Sequence, residues 1–185
     1  MSKQDKTERR EYYRIHDEIA LQINTAYSDF VNESSLFNLL NELYLLEHEA
    51  QPLLRAISEQ QRTLVNYLKI TNKRIDLLAQ ALAQNLLKDF PKPQQTTLSE
   101  GGLSFFSHQS FNQGQTLYLK MLLLPQALAL QLTATVVGTR KKPDGRLKTA
   151  VTFVDLTESQ RQILARHILQ KQAHERRQAL LEENS

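Results

Sequence analysis

A seven-residue apolar repeat runs from Leu36 to Asn85 and limits what this chain can be. With Leu40, Glu47, Leu54, Gln61, Leu68, Ile75 and Leu82 at position a, position d falls on Leu36, Leu43, Ala50, Ile57, Leu64, Thr71, Leu78 and Asn85. Only Glu47, Gln61, Thr71 and Asn85 are polar, and a stripe sustained this long marks a coiled coil or a long bundle helix. Pro52 interrupts it. A proline there cannot donate to the carbonyl of His48 and pushes Gln51 toward extended geometry. The spacing therefore predicts two helices, over residues 34–50 and 52–88, the second opening with proline in its first turn. At ~1.5 Å per residue they would be roughly 25 Å and roughly 55 Å long. If they fold back on each other, about half of the second has no partner within the chain. Leu54, Ile57, Leu64, Leu68, Ile75, Leu78 and Leu82 are then the expected oligomerisation seam, packed on another copy, with Gln61, Thr71 and Asn85 fixing register at a cost in stability. The other solution is a hairpin lying wholly on its own chain, since a heptad stripe does not name its partner.

The flanks change period. Residues 15–27 alternate in part (Ile19, Leu21, Ile23), as a half-buried strand does. Phe90-Pro91-Lys92-Pro93 ends the helical region, because neither proline continues a helix. Strands are expected over residues 103–106, 116–124, 129–139 and 148–154, with Pro143-Asp144-Gly145 as a hairpin turn. Several short strands with turns between them imply a small antiparallel barrel. Thr157 is a fitting N-cap for a closing helix over residues 157–180, whose apolar side carries Ile163, Leu164, His167 and Ile168.

Two short stretches carry chemistry. The first is Glu8-Arg9-Arg10-Glu11-Tyr12-Tyr13-Arg14, with Arg10 and Arg14 four apart. A guanidinium is a planar fork that matches phosphate oxygens bidentately and stacks on a base. Such a cluster near a terminus also reads as a solvated charge run. The second is Thr97-Leu98-Ser99-Glu100-Gly101-Gly102, where glycine permits close backbone approach and Ser99 adds a hydroxyl. Alone, this is an ordinary turn.

Together the two stretches resemble the signature of the PilZ family, bacterial receptors for cyclic di-GMP: an RxxxR arm followed by (D/N)xSxxG. Here the halves are Arg10-Glu11-Tyr12-Tyr13-Arg14, with an extra Arg9, and Thr97-x-Ser99-x-x-Gly102. Residues 114–125 and 151–156 resemble the later strands of that family. The likeness covers residues 8–27 and 95–175 and leaves the helices between as an insertion. It implies an α+β fold: a PilZ-like barrel over residues 1–30 and 91–185, closed by a C-terminal helix and interrupted after its first strand by a helical insertion over residues 31–90. It also implies a cyclic di-GMP site. Arg10 and Arg14 would hold the phosphates and stack on the guanines, Arg9 would assist, and Thr97, Ser99, Gly101 and Gly102 would form the opposite wall. Thr97 departs from the family's Asp or Asn. One lost hydrogen bond of that kind costs ~1–2 kcal/mol, roughly a tenfold weakening.

Other classes recede. The 23 Lys and Arg against 20 Asp and Glu give a net charge of +3, which admits an anionic ligand without calling for nucleic acid. There is no cysteine, which removes disulfides, thiolate metal sites and a cysteine nucleophile and fits a reducing cytoplasm. The start lacks the apolar segment of a signal peptide, and no apolar run is long enough for a membrane span. The histidines have no metal spacing, and His167 reads as partly packed. No motif ties a serine to a histidine and an acid, and no phosphate-binding glycine loop is present, so neither an enzyme nor a cofactor or metal is expected. The segment Arg140-Lys141-Lys142-Pro143-Asp144-Gly145-Arg146-Leu147-Lys148 reads as a solvated hairpin tip, or as a surface for an anionic partner or a supplementary phosphate contact. The expected function is a ligand-dependent, non-enzymatic switch in motility, pilus or biofilm control, in which ordering the arm changes the surface shown to a protein partner. The alternative is an oligomeric assembly module that binds no nucleotide.

Overall fold

The computed structural model describes residues 13–28, 35–58, 61–125 and 128–183. Six strands, β1 (Ile15–Asn24), β2 (Gln94–Ser99), β3 (Gly102–Ser107), β4 (Thr116–Leu123), β5 (Leu128–Lys141) and β6 (Leu147–Val154), close into a barrel in the order β1-β2-β3-β6-β5-β4. Every neighbouring pair is antiparallel. Helix α1 (Ser35–Ser58) and helix α2 (Arg62–Leu86) lie between β1 and β2, and α3 (Glu158–Glu183) closes the chain. The α+β barrel with an inserted helical pair is the expected fold.

Alternation places the core. Ile15, Ile19 and Leu21 of β1 point inward with Leu98, Leu103, Phe105, Met121, Leu130, Val136 and Val151. Closure leaves no unpaired sheet edge. α3 stoppers the barrel with Ile163, Leu164 and Ile168. Its start is a reciprocal cap: the Gln160 backbone N–H donates to the Thr157 hydroxyl at 3.2 Å, and the Thr157 N–H donates to the Gln160 side-chain oxygen at 3.0 Å. The Gln160 amide also donates to the Gln131 carbonyl of β5.

The helical pair sits on the barrel's outer face. Ala20, Leu122 and Ala129 lie side by side across β1, β4 and β5 and face Phe37, Leu40, Ala83 and Leu86. The two alanines let the helices come close. Phe37 stacks on Phe90, with ring centres 5.7 Å apart, where the chain returns to the barrel.

Two expectations about the helices are corrected. The first helix does not end at residue 50: α1 runs through Pro52 to Ser58, and the chain reverses before Arg62. An internal proline forfeits one hydrogen bond and costs about 3 kcal/mol. Here the proline is exposed, and the next turn is held by Leu54 and Ile57, both half-buried. The helices are therefore nearly equal, at 24 and 25 residues, and pair along their length. No long overhang of the second remains. The expected seam is divided accordingly: Leu54, Ile57, Leu68 and Leu82 are half-buried, while Leu64, Ile75 and Leu78 stay exposed. Outward of it lie Leu39, Leu46 and Leu53, seven apart on α1, and Tyr67, Ile70 and Leu77 on α2, each 45–65% exposed.

Candidate functional site

β2 and β3 form a tight hairpin. Ser99 pairs with Gly102, leaving Glu100-Gly101 as the loop. The Ser99 hydroxyl donates to the Gly102 carbonyl at 3.2 Å, and the Phe153 backbone N–H donates to the Gly101 carbonyl at 2.9 Å, so the turn is fixed to β6. Gly102 is required by contact: a Cβ there would lie 2.3 Å from the Val151 carbonyl oxygen. Its freedom from a side chain sets the spacing of β3 and β6.

Register decides what faces out. Ile15, Leu98, Leu103 and Val151 point into the core in adjacent strands, so their neighbours Arg14, Thr97, Ser104 and Thr152 project from the wall. The first turn of α3 leans over this wall. Between them lies an open cavity of 540 Å³, lined by Arg14, Thr97, Ser99, Gly101 and Gly102 together with Ser104, Thr152 and Arg161. That volume is in the range of small-ligand sites. Arg14 and Ser99 are separated by the whole helical pair in sequence, and the barrel brings them to one cavity. Arg9 and Arg10 lie outside the described residues.

Arg161, Ser104 and Thr152 are polar members that sequence patterning missed. Ser104 was readable in principle, since Leu103 and Phe105 pointing inward turn it outward. Nothing local reports that the start of α3 crosses Gly102, so Arg161 had no signal.

Behind the wall, β1 is tied to α3. The Asp17 carboxylate accepts from His167 Nε2 at 2.6 Å and from Lys171 Nζ at 3.0 Å; Asp17 and His167 are each only 2% exposed. The Glu18 N–H adds a bond to the carboxylate, and the Thr96 hydroxyl donates to the Asp17 carbonyl at 3.0 Å. Burial by itself raises the Asp17 carboxyl. The hydrogen bonds and charges of His167 and Lys171 outweigh it and hold the group below the ordinary carboxylate range. His167 is thus fully packed and hydrogen-bonded to Asp17, beyond the partial packing expected.

The other charged features sit elsewhere. Between α1 and α2 a smaller cavity of 250 Å³ has Leu40, Leu43 and Ile75 on its walls and Tyr44, Glu47 and Asp76 at one side. Burial pushes the Tyr44 hydroxyl up to about 12, with Arg166 opposing and Glu47 and Asp76 adding. Glu47 is bound to Arg166 of α3 at 3.1 Å, so this cluster fastens the hairpin to the closing helix. The basic β5–β6 tip is exposed, with Arg146 paired to Asp144 at 2.8 Å and stacked on Phe106 at 4.5 Å. Ser107 pairs with Leu147 at the end of β3 away from Gly102, roughly 17 Å along the strand at ~3.3 Å per residue. This tip does not line the cavity. No helix among the described residues is long and apolar enough to cross a membrane.

Comparison with known proteins agrees with the barrel. A sequence model of the PilZ domain matches residues 71–170, from within α2 to within α3. Among solved structures, a tetrameric PilZ domain from Xanthomonas campestris, described as self-assembled through an unusual helical bundle, is 14% identical, with 89% of each chain covered and a TM-score of 0.56. The inhibitor of motility MotI/DgrA from Bacillus subtilis is 13% identical over 90% of this chain and 52% of its own, with a TM-score of 0.48. No curated protein matches the chain. The matched span is more than half of the 185 residues and takes in five of the six barrel strands, and the chain belongs to the PilZ domain family.

Proposed function

We propose that this protein is a cyclic di-GMP receptor that acts as a non-enzymatic switch. One observation carries the reading: Arg14 from the first stretch and Thr97, Ser99, Gly101 and Gly102 from the second line the same 540 Å³ cavity. Arg14 is exposed at its edge, and a guanidinium can both pair with a phosphate and stack on a base. Arg9 and Arg10 precede Arg14 by five and four positions in the sequence. Ligand draws the arm against the Thr97–Gly102 turn, and it shifts that equilibrium by its differential affinity for the two arm states. Arg161 extends the site to α3, so the closing helix also feels the ligand. The downstream role is control of motility, pili or biofilm, and the output passes to a protein partner through the changed surface. The test is one variant assayed against cyclic di-GMP beside the unaltered protein. Arg14→Ala abolishes binding with the fold intact. Affinity equal to that of the unaltered protein refutes the clamp.

A second reading concerns assembly and is favoured by a separate observation. The exposed leucines at positions 39, 46 and 53 of α1 and Tyr67, Ile70, Leu77 and Leu78 of α2 make an apolar outer face on the hairpin. Such a face on a helical pair is covered by another copy in a bundle. The described self-assembly of the Xanthomonas campestris PilZ protein through a helical bundle is in keeping with this use of the insertion. On this reading the protein is an oligomer whether or not nucleotide is bound.

A further inference from the structure

The outer face of β3, β6 and β5 continues beyond the cavity, and register sets what stands on it. Phe105 and Thr149 are fully buried, so their neighbours Phe106 and Lys148, paired with each other, point outward, and Arg140 stands opposite Lys148 on β5. Two residues on, Lys142 meets Arg146, its backbone N–H donating to the Arg146 carbonyl at 2.8 Å. Four cations thus form two successive like-charged pairs on one face. Like charges directly opposite destabilise paired strands. Asp144 is bound to Arg146, and Arg140, Lys142 and Lys148 have no ion pair among the described residues. Nor does Lys148 guard a sheet edge, since β6 is paired on both sides there.

Toward the cavity the same face becomes low. Its next row is Ser104, Ala150 and Gly138, in register across the three strands. Nothing in the fold demands glycine at 138: its φ is not in the left-handed region, and a Cβ there would meet nothing within 4 Å. A bulge lies beside it, but the extra residue is Val137, pushed out to 53% exposure. A strand glycine that the fold does not need suits the close approach of another backbone. A low floor with one exposed apolar side chain, bordered by cations, has the anatomy of an interface centre and its polar rim.

The residues also select among anionic partners. Phe106 is half-buried, with Arg146 over its ring at 4.5 Å and Lys148 at 5.9 Å. The tip therefore offers no apolar group to enter a lipid layer and no open ring on which a base would stack. Cations two residues apart on a strand are ~6.6 Å apart, the spacing of alternate side chains on another extended chain. We propose that this face docks an extended acidic segment of a partner protein, its backbone passing over Gly138 and Ala150 and its carboxylates meeting Arg140, Lys142 and Lys148. The proposal deepens the switch reading above by naming the partner's side of it, since Ser104, Val137 and Ala150 also line the cavity. Docking itself needs no nucleotide, so the two readings fail separately.

The probe is a fluorescein-labelled peptide of six alternating glutamate–threonine pairs, titrated by anisotropy with the 185-residue chain at low and moderate salt, without nucleotide. The peptide binds, and Arg140→Gln combined with Lys148→Gln weakens it by about tenfold, the scale of two exposed ion pairs. Gly138→Leu leaves every charge in place and weakens it by about fivefold or more, because the new side chain stands in the path of the peptide backbone. Circular dichroism checks the fold of each variant, and Gly138→Ala makes the same comparison if the leucine variant does not fold. Unchanged affinity in the folded glycine variant reduces the face to a charge cluster and overturns the proposal. Failure of the peptide to bind overturns it too and leaves the receptor reading standing. Tighter binding of phosphatidylserine vesicles, or of a twelve-residue oligothymidine, overturns the assignment to a protein partner.

Discussion

Asp17 of β1 and His167 of α3 meet through a 2.6 Å hydrogen bond with both side chains out of solvent. Asp17 lies three residues beyond Arg14, and its carbonyl is held by Thr96, the neighbour of Thr97. One buried pair thus fastens the strand that leaves the arginine arm to the helix that covers the cavity. Lys171 completes it from the next turn of α3, at 3.0 Å.

Asp17→Asn removes the charge and leaves His167 and Lys171 facing a neutral amide. Breaking one side of a buried pair costs about 3–5 kcal/mol. Because Lys171 is one-third exposed and retains water, the lower end is expected. Urea unfolding followed by circular dichroism reads the loss. A change under about 0.5 kcal/mol, the scale of an ordinary surface substitution, would show that the pair does not fasten α3.

The same carboxylate sets an acid dependence. Its pKa is lowered in the fold, so its contribution to stability is complete above the unfolded value, near 3.9, and is lost as pH falls through the lower folded value. Unfolding free energy of the unaltered protein declines across that acid range. The Asp17→Asn variant shows a flatter decline, measured by denaturant melts at stepped pH. Parallel curves would remove Asp17 as the source.

Gly102→Ala places a methyl 2.3 Å from the Val151 carbonyl oxygen, a backbone atom with little room to move. Overpacking of this kind costs about 1–3 kcal/mol and forces β3 from β6. Amide exchange at the paired residues of β3 and β6 speeds, and cyclic di-GMP binding weakens with it. Native exchange rates would mean that the strands relax freely.

Much of this was legible in the sequence. Strand alternation located the barrel, and Thr157 gave the start of α3. β2 was hidden, because Gln94-Gln95-Thr96-Thr97-Leu98-Ser99 carries a single apolar residue and lies against other strands through backbone bonds. The reversal of the helical pair was misplaced at Pro52, since propensity marks a lost hydrogen bond and not the packing of Leu54 and Ile57 that outweighs it. Asp17 shares the inward parity of Ile15 and Ile19 on β1, and the partners that make a buried acid tenable there, His167 and Lys171, lie 150 residues or more away along the chain. The cavity's wall followed from two motifs, whereas Arg161 depended on where α3 crosses.

Removing apolar side chains from the outer face of the hairpin tests assembly. Leu46→Glu with Leu53→Glu leaves the core untouched, both residues being more than half exposed. Light scattering finds the unaltered protein at a multiple of 21.4 kDa and the double variant at a single chain's mass. A monomeric unaltered protein contradicts the assembly reading.

Arg161→Ala removes a guanidinium from the cavity edge without touching the core. One charge-assisted hydrogen bond is worth about 1.5–3 kcal/mol, and its loss weakens cyclic di-GMP binding by roughly tenfold or more. Arg161→Lys recovers part of that loss. Equal affinity in all three proteins would place α3 outside the site.

Titration of the 185-residue chain with cyclic di-GMP in a calorimeter at moderate salt bears most directly on the central claim. Saturable binding at micromolar affinity or better is the predicted result, with Thr97 tolerated in the wall. Absence of heat and of competition from a folded sample would contradict it and leave the helical hairpin as the working part of the molecule.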